Sequence, residues 1–252
     1  MIRLLTGVLL ATQSFITCNA QPPKIPVEGY KLFWSDDFDG PALDKTKWNY
    51  RGLDRSGDLK NFSESVSLDG KGFLLITASA KNDTVKTGMI ATENIFQTTY
   101  GYFECRSKLT ESNGLFPAFW LQSQLNGDYG NAVDNGVELD IFEYFPHERK
   151  NQVSHTLHWG GYGPTHKIAG PVWVSLSPTP DGFHTFGLEW TPESYTTFVD
   201  GVRTFQGTEH ISRKPEFIVL SLGYTSAGTE KNFKTKLPES FVVDYVRVYK
   251  KQ

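Results

Sequence analysis

Cysteine is nearly absent from this chain: its 252 residues hold two, Cys18 and Cys105. Cys18 falls in what reads as a removable leader, so the remaining chain has no partner for an intrachain disulfide and is not a small bridge-held scaffold. Cys105, inside YGYFECRSKL, suits a small core residue better than a nucleophile. Charge of one sign is lacking too. Lys and Arg total 25, Asp and Glu 28, the net charge is -3, and no basic cluster occurs, which argues against nucleic acid and anionic membranes as partners. No apolar run beyond the first 16 residues approaches the roughly twenty needed to span a bilayer. Neither an HxxxH pattern nor a cysteine-rich one is present, so zinc chemistry has no support. Helical periodicity is scarce.

Aromatic residues are plentiful, at 14 %, beside 23 Gly and 13 Pro, a composition of short strands and turns. The first twenty residues read as an export signal: Arg3 is the positive start, Leu4 to Ile16 the apolar stretch, and Cys18-Asn19-Ala20 the small-residue end. The expected product is secreted or periplasmic, beginning near Gln21. In a rival reading, Cys18 is the acylated residue of a cell-surface lipoprotein. Residues 21–252 suit one domain, expected to be a monomer. Strand signals recur in KLFWSDDF, FLLITASA, GMIATENIFQ, GYFECRSKL, FPAFWLQS, VELDIFEYF, VSHTLHWG, FHTFGLEW, YTTFVDG, FIVLSLG and FVVDYVRVYK. Val199-Asp200-Gly201-Val202 looks like a hairpin tip, and 160–180 like a surface loop carrying Trp173. The fold class is all-β, two antiparallel sheets packed face to face. Glu104 and Arg106, on one strand face, read as an ion pair.

The run GVELDIFEYF carries three carboxylates in an apolar strand. Alternation places Glu138 and Asp140 on one face and would put Glu143 on the other. A bulge at Ile141-Phe142 returns Glu143 to the face of its partners, and bulges are frequent beside active sites. Two carboxylates about 5–5.5 Å apart are the machinery of a retaining glycosidase, and a third can tune their protonation. Five strand residues span roughly 15 Å, so the bulge and the leaning of the side chains must close that gap. His158 shares a face with Ser154 and Thr156, opposite His155, Leu157 and Trp159, and can reach Asp140 from a neighbouring strand. Trp120 and Trp159, with Phe116 and Trp173, are candidate sugar platforms.

The ELDIFE run, preceded by TTYGYFECRSKL and GLFPAFWLQS and followed by HTLHWG, HTFGLEWTPESYTTFVDG and FVVDYVRVYK, resembles glycoside hydrolase family 16 over nearly the whole chain after the leader. Its ExDxxE is the bulged version found in laminarinase-like and agarase-like members. The resemblance implies a jelly-roll sandwich with a concave sugar-binding cleft, and endo-hydrolysis of a β-linked polysaccharide with retention. It makes Glu138 the nucleophile, Glu143 the acid and base, Asp140 the group between them, and His158 a cleft residue. No cofactor is implied for catalysis. A structural calcium, held in part by Asp244, is a further implication. The walls depart from laminarinase-like sequences: Phe116 replaces Trp, Tyr224-Thr225-Ser226-Ala227-Gly228 replaces a Gly-Gly-x-Trp-Pro run, and Arg51-Gly52-Leu53-Asp54-Arg55-Ser56 replaces Asn-Asn-Glu. Arg51, Arg55 and Lys60 read as solvated charges, or else as partners of a sulfate or other acidic substituent. The expected glycan is a β-1,3-glucan, laminarin-like or mixed-linkage. The alternatives are an algal or host β-galactan, or a non-catalytic carbohydrate-binding sensor.

Overall fold

The computed structural model describes residues 25–55, 60–82, 84–126, 132–226 and 233–252; the leader, Cys18 included, lies outside them. The strands are β1 Tyr30–Asp36, β2 Asn49–Tyr50, β3 Val66–Leu68, β4 Leu74–Lys81, β5 Thr84–Lys86, β6 Met89–Ala91, β7 Gly101–Lys108 and β8 Leu115–Gln122. A one-turn helix, α1 (Ala132–Asn135), precedes β9 Glu138–Glu143. β10 Gln152–Trp159, β11 Lys167–Ser175, β12 His184–Trp190, β13 Tyr195–Val199, β14 Val202–Gly207, β15 Phe217–Tyr224 and β16 Glu239–Lys251 complete the chain. One sheet runs β14-β13-β12-β7-β16-β4-β3, with β1 also on β16 and β5 on β4; the other runs β11-β10-β9-β8-β15-β6-β2. No described helix is long and apolar enough to cross a membrane.

Alternation decides what lies between the sheets. Phe103 and Cys105 of β7, Phe119 and Leu121 of β8, and Phe186 and Leu188 of β12 all point inward and are fully buried. The Phe142 and Phe186 rings meet across the layer at 4.0 Å between centroids. Burying each such side chain contributes roughly 1.5–3 kcal/mol. Cys105 is a core residue as expected, its thiol pushed up by burial. At the β13–β14 hairpin, Asp200 and Gly201 take φ of 51° and 75°, both central residues left-handed, as an Asp-Gly turn between twisted strands prefers.

Three expectations need correction. The segment 160–180 contains a nine-residue strand, β11, paired along β10. Gly170 and Pro171 hid it, and the strand tolerates them because it is an edge strand with a register shift opposite His155 to Leu157. Conversely, GMIATENIFQ is strand only over Met89–Ala91; after it the chain turns, the Thr92 carbonyl accepting from the amides of Ile95 and Phe96 at 3.0 and 2.8 Å. Glu104 does not pair with Arg106. It is 5 % exposed, on the outer face of β7, and accepts from the hydroxyls of Tyr102 at 2.8 Å and Tyr245 at 2.9 Å. Ile25, Val27 and Tyr30 pack on that face against Tyr102, Phe198 and Tyr249, so a charge partner is replaced by neutral donors beneath a cover.

Candidate active site

β9 lies between β8 and β10, and its register with both carries the bulge. Phe142 pairs with Phe119 and Asp140 with Trp120, leaving Ile141 as the extra residue. On the other side Glu143 pairs with Ser154 and Asp140 with Thr156. Two consecutive large apolar residues, Ile141 and Phe142, are thereby both fully buried, while Glu138, Asp140 and Glu143 share the opposite face and line one cleft of about 510 Å³. The Ile141 carbonyl accepts from His155 Nδ1 at 2.5 Å. Burial pushes the His155 imidazole down to about 4. It is therefore neutral, and with Nδ1 protonated its Nε2 accepts from the Thr204 hydroxyl at 3.1 Å. Gly136, just before β9, has φ of 76°, and a Cβ there would lie 2.3 Å from that of Ser123; only glycine admits this entry into the strand.

The three carboxyls differ in their surroundings. Oε2 of Glu138 accepts from Gln122 Nε2 at 2.9 Å and from the Tyr162 hydroxyl. That hydroxyl in turn receives Asn126 Nδ2 at 3.1 Å. Asp140 is 4 % exposed; burial first, then the charge of Glu138, raises its pKa well above the usual carboxylate range. Its Oδ2 lies 3.3 Å from His158 Nε2, and one ligand atom each of Glu138, Asp140 and His158 fall within 4.8 Å of one another. Glu143 is pushed up to about 9, by burial first and then by the charges of Asp140 and Glu138, with His158 opposing. A carboxyl that keeps its proton at neutral pH can serve as an acid, and one that accepts from neutral donors can serve as its partner. From these causes, Asp140→Asn should reduce kcat by about tenfold to a hundredfold. Removing its charge also lowers the pKa of Glu143, so the alkaline limb of the pH–rate profile should move to lower pH; an unmoved limb would refute the coupling.

The other predicted residues divide. Trp120 lines the cleft beside Ala118, its indole N–H donating to Ser221 Oγ at 3.1 Å. Phe116 lines it too, its ring lying over Gly223, where a Cβ would sit 2.1 Å from the ring. Trp173 pairs with Ser154, which pairs with Glu143, so it shares the cleft face on the edge strand, its ring covered by Arg149 at 5.0 Å. Trp159 requires correction: it alternates with His158, points between the sheets, is 7 % exposed and stacks on His210 at 4.0 Å, at a second cavity of about 600 Å³ between the β11 and β14 edges. That cavity is larger than the cleft, yet the carboxyls of Glu138 and Glu143 belong to the other one. Arg51 and Arg55 both line the cleft, and Lys60 sits over the Phe62 ring.

Tyr224, expected at an altered wall, lines the cleft; Gln122, Tyr162 and His166 were not expected. Gln122 carried a signal: it continues the Phe116, Ala118, Trp120 alternation as a polar residue on the cleft face. Tyr162 and His166, the latter 2.9 Å from His158 Nδ1, lie in a Gly-rich loop with no periodicity to orient them. Asp244 lies on the outer face of the other sheet, where its Oδ2 accepts from Arg106, which also bonds Asp181. These residues fit an ion pair; calcium, which needs six to eight oxygens, would have to displace the guanidinium.

Comparison with known proteins agrees with this geometry. The chain is 29 % identical to a beta-glucanase of Rhodothermus marinus, over 88 % of this chain and 85 % of that one. It is 26 % identical to glucan endo-1,3-beta-glucosidase A1 of Niallia circulans over 92 % of its own length, and spans 39 % of that larger protein. Among solved structures, the laminarinase catalytic domain of Thermotoga maritima superposes with a TM-score of 0.73 at 24 % identity, over 89 % of this chain and all of that domain, and shares the jelly-roll fold. Residues 60–237 match the model of the glycosyl hydrolases family 16, a span that contains the bulged strand, both its neighbours and the Gln122 and Tyr162 donors to Glu138. The chain belongs to the glycosyl hydrolases of family 16.

Proposed function

We propose that this protein is a retaining endo-β-glycosidase that hydrolyses a β-1,3-glucan, laminarin-like or mixed-linkage, outside the cytoplasm. The observation that carries the reading is the bulged β9 with Glu138, Asp140 and Glu143 on one cleft face. In the first step Glu143 gives its proton to the glycosidic oxygen while Glu138 attacks the anomeric carbon, so the bond to the leaving sugar breaks as the bond to Glu138 forms. In the second, Glu143, now ionised, takes a proton from water, the hydroxide oxygen attacks the same carbon, and Glu138 leaves. Forming the ester removes the charge of Glu138, one of the groups that raise Glu143, so the acid of the first step becomes a better-matched base for the second. The sugar class is supported by the two relatives named above, a beta-glucanase and a glucan endo-1,3-beta-glucosidase. Export is supported by the sequence of residues 1–20. Calcium has no part in these steps; bound at Asp244 it would act on stability alone.

The test is incubation of the purified protein with laminarin, mixed-linkage β-glucan, agarose, porphyran, carrageenan and keratan-type galactan, with products read by mass and new reducing ends. Oligosaccharides from a glucan are expected. Cleavage of a galactan alone would keep the carboxylates in their roles and replace the substrate. Binding without products from any of them would make the protein a sensor.

A further inference from the structure

Gln122 touches Glu138 through an amide, and an amide has two ends. Turned one way it offers Glu138 a donor; turned the other it sets an oxygen against a carboxylate. Arg51 removes the choice. Its Nη2 donates to Gln122 Oε1 at 2.5 Å, and a guanidinium has only donors, so the NH2 of Gln122 must face Glu138. Arg51 is itself fixed. Its backbone amide donates to the Met89 carbonyl at 3.0 Å, its Nε to Glu93 at 3.2 Å, and its plane packs 5.5 Å from the Trp120 ring and 5.1 Å from that of Phe217. The side chain is 18 % exposed. Both arginines that the sequence offered for an acidic substituent line the cleft, but the guanidinium of Arg51 is engaged by Glu93, Gln122 and the two rings.

We propose that Arg51 is a positioning residue for the reaction, acting through Gln122: it holds the amide so that the NH2 faces Glu138 and places a permanent positive charge one side chain from the nucleophile. The inference rests on Glu138 being the nucleophile. Lysine does not replace arginine here, because one ammonium cannot meet Glu93 and Gln122 with the planar fork's geometry. The titratable groups around Glu138 are Asp140 and Glu143 on its own strand, His158 on β10, Tyr162 in the loop after it, and, beyond Gln122 on the cleft face, Arg51 with Glu93.

The experiment compares Arg51→Met, Arg51→Lys, Gln122→Met and the Arg51→Met/Gln122→Met double variant. Each is assayed on the polysaccharide that the parent cleaves and on a dinitrophenyl glycoside of its product, whose leaving group needs no acid. Arg51→Met should lower kcat by about tenfold to a hundredfold on both substrates, with KM within about twofold, and should move the acid limb of the profile to higher pH. Arg51→Lys should recover part of the limb but little of kcat. The double variant should be no slower than Gln122→Met, since residues acting as a unit are not additive. Losses that multiply, a change in KM alone, or a lowered Tm with the acid limb unmoved would each overturn the proposal. If Arg51→Met does not fold, Arg51→Lys with Glu93→Gln carries the same test. A parent that turns over neither substrate would instead refute the glycosidase reading itself.

Discussion

Glu138→Ala should abolish turnover of polysaccharide and of activated aryl glycosides alike, by on the order of 10⁴-fold or more, with folding intact. In the proposed mechanism both classes of substrate pass through a bond to Glu138, so a better leaving group does not rescue the variant. Stability should survive. Glu138 is only half-buried, its donors Gln122 and Tyr162 also bond each other, and its removal relieves the repulsion that raises Asp140. The identity of the nucleophile has a sharper reading than rate loss. Azide, small enough for the vacated space, would attack the anomeric carbon from the same side and stay there, yielding a glycosyl azide of inverted configuration from an aryl glycoside. Failure to form that product, or substantial activity in the purified folded variant, would remove Glu138 from the role.

Glu143→Gln is expected to behave differently, and the contrast is the point. On polysaccharide, where the leaving oxygen needs a proton, the loss should reach about 10³- to 10⁴-fold. On a dinitrophenyl glycoside the first step should be nearly normal and the second slow, so a burst is followed by accumulation of glycosyl-enzyme visible by intact mass. Equal losses on both substrates would contradict the acid role. The same carboxyl leaves a mark on stability. Its folded pKa of about 9 lies above the ordinary glutamate value of 4.5, so below 4.5 both folded and unfolded chains hold the proton. Between 4.5 and about 9 only the folded chain does, and stability is lost as pH rises through that window. Glu143→Gln lacks this slope: its Tm should fall less than the parent's between pH 5 and 9. Parallel Tm curves would show that Glu143 is not the perturbed group.

Much of this arrangement could be read from residues in order. ELDIFE announces its own bulge, because two adjacent large apolar side chains and three acids cannot be sorted to opposite faces by strict alternation. His158 and Trp120 follow from period two, and the same rule sets Trp159 on the face opposite His158, which its suitability as a stacking platform did not outweigh. What stayed hidden depended on contacts between distant segments. Nothing in Gly160-Gly161-Tyr162 tells where the tyrosine hydroxyl lands, nor does Arg51 reveal that it meets Gln122, 71 positions away. β11 was concealed by a Gly-Pro pair that sheet interiors reject and edges accept. Glu104 was paired with the wrong partner because the cover supplied by Ile25, Val27 and Tyr30 turns an outer face into an interior.

β9 is laced to a neighbour along each edge, so the separation of its acids is counted out by ladder rungs and one surplus residue. Arg55, Tyr162 and Tyr224, which border the same hollow, hang on connections or at a strand's end. The acids are therefore fixed by the sheet, while part of the wall around them is carried by connections. A wall carried in this way can be altered without shifting the rungs that space the acids.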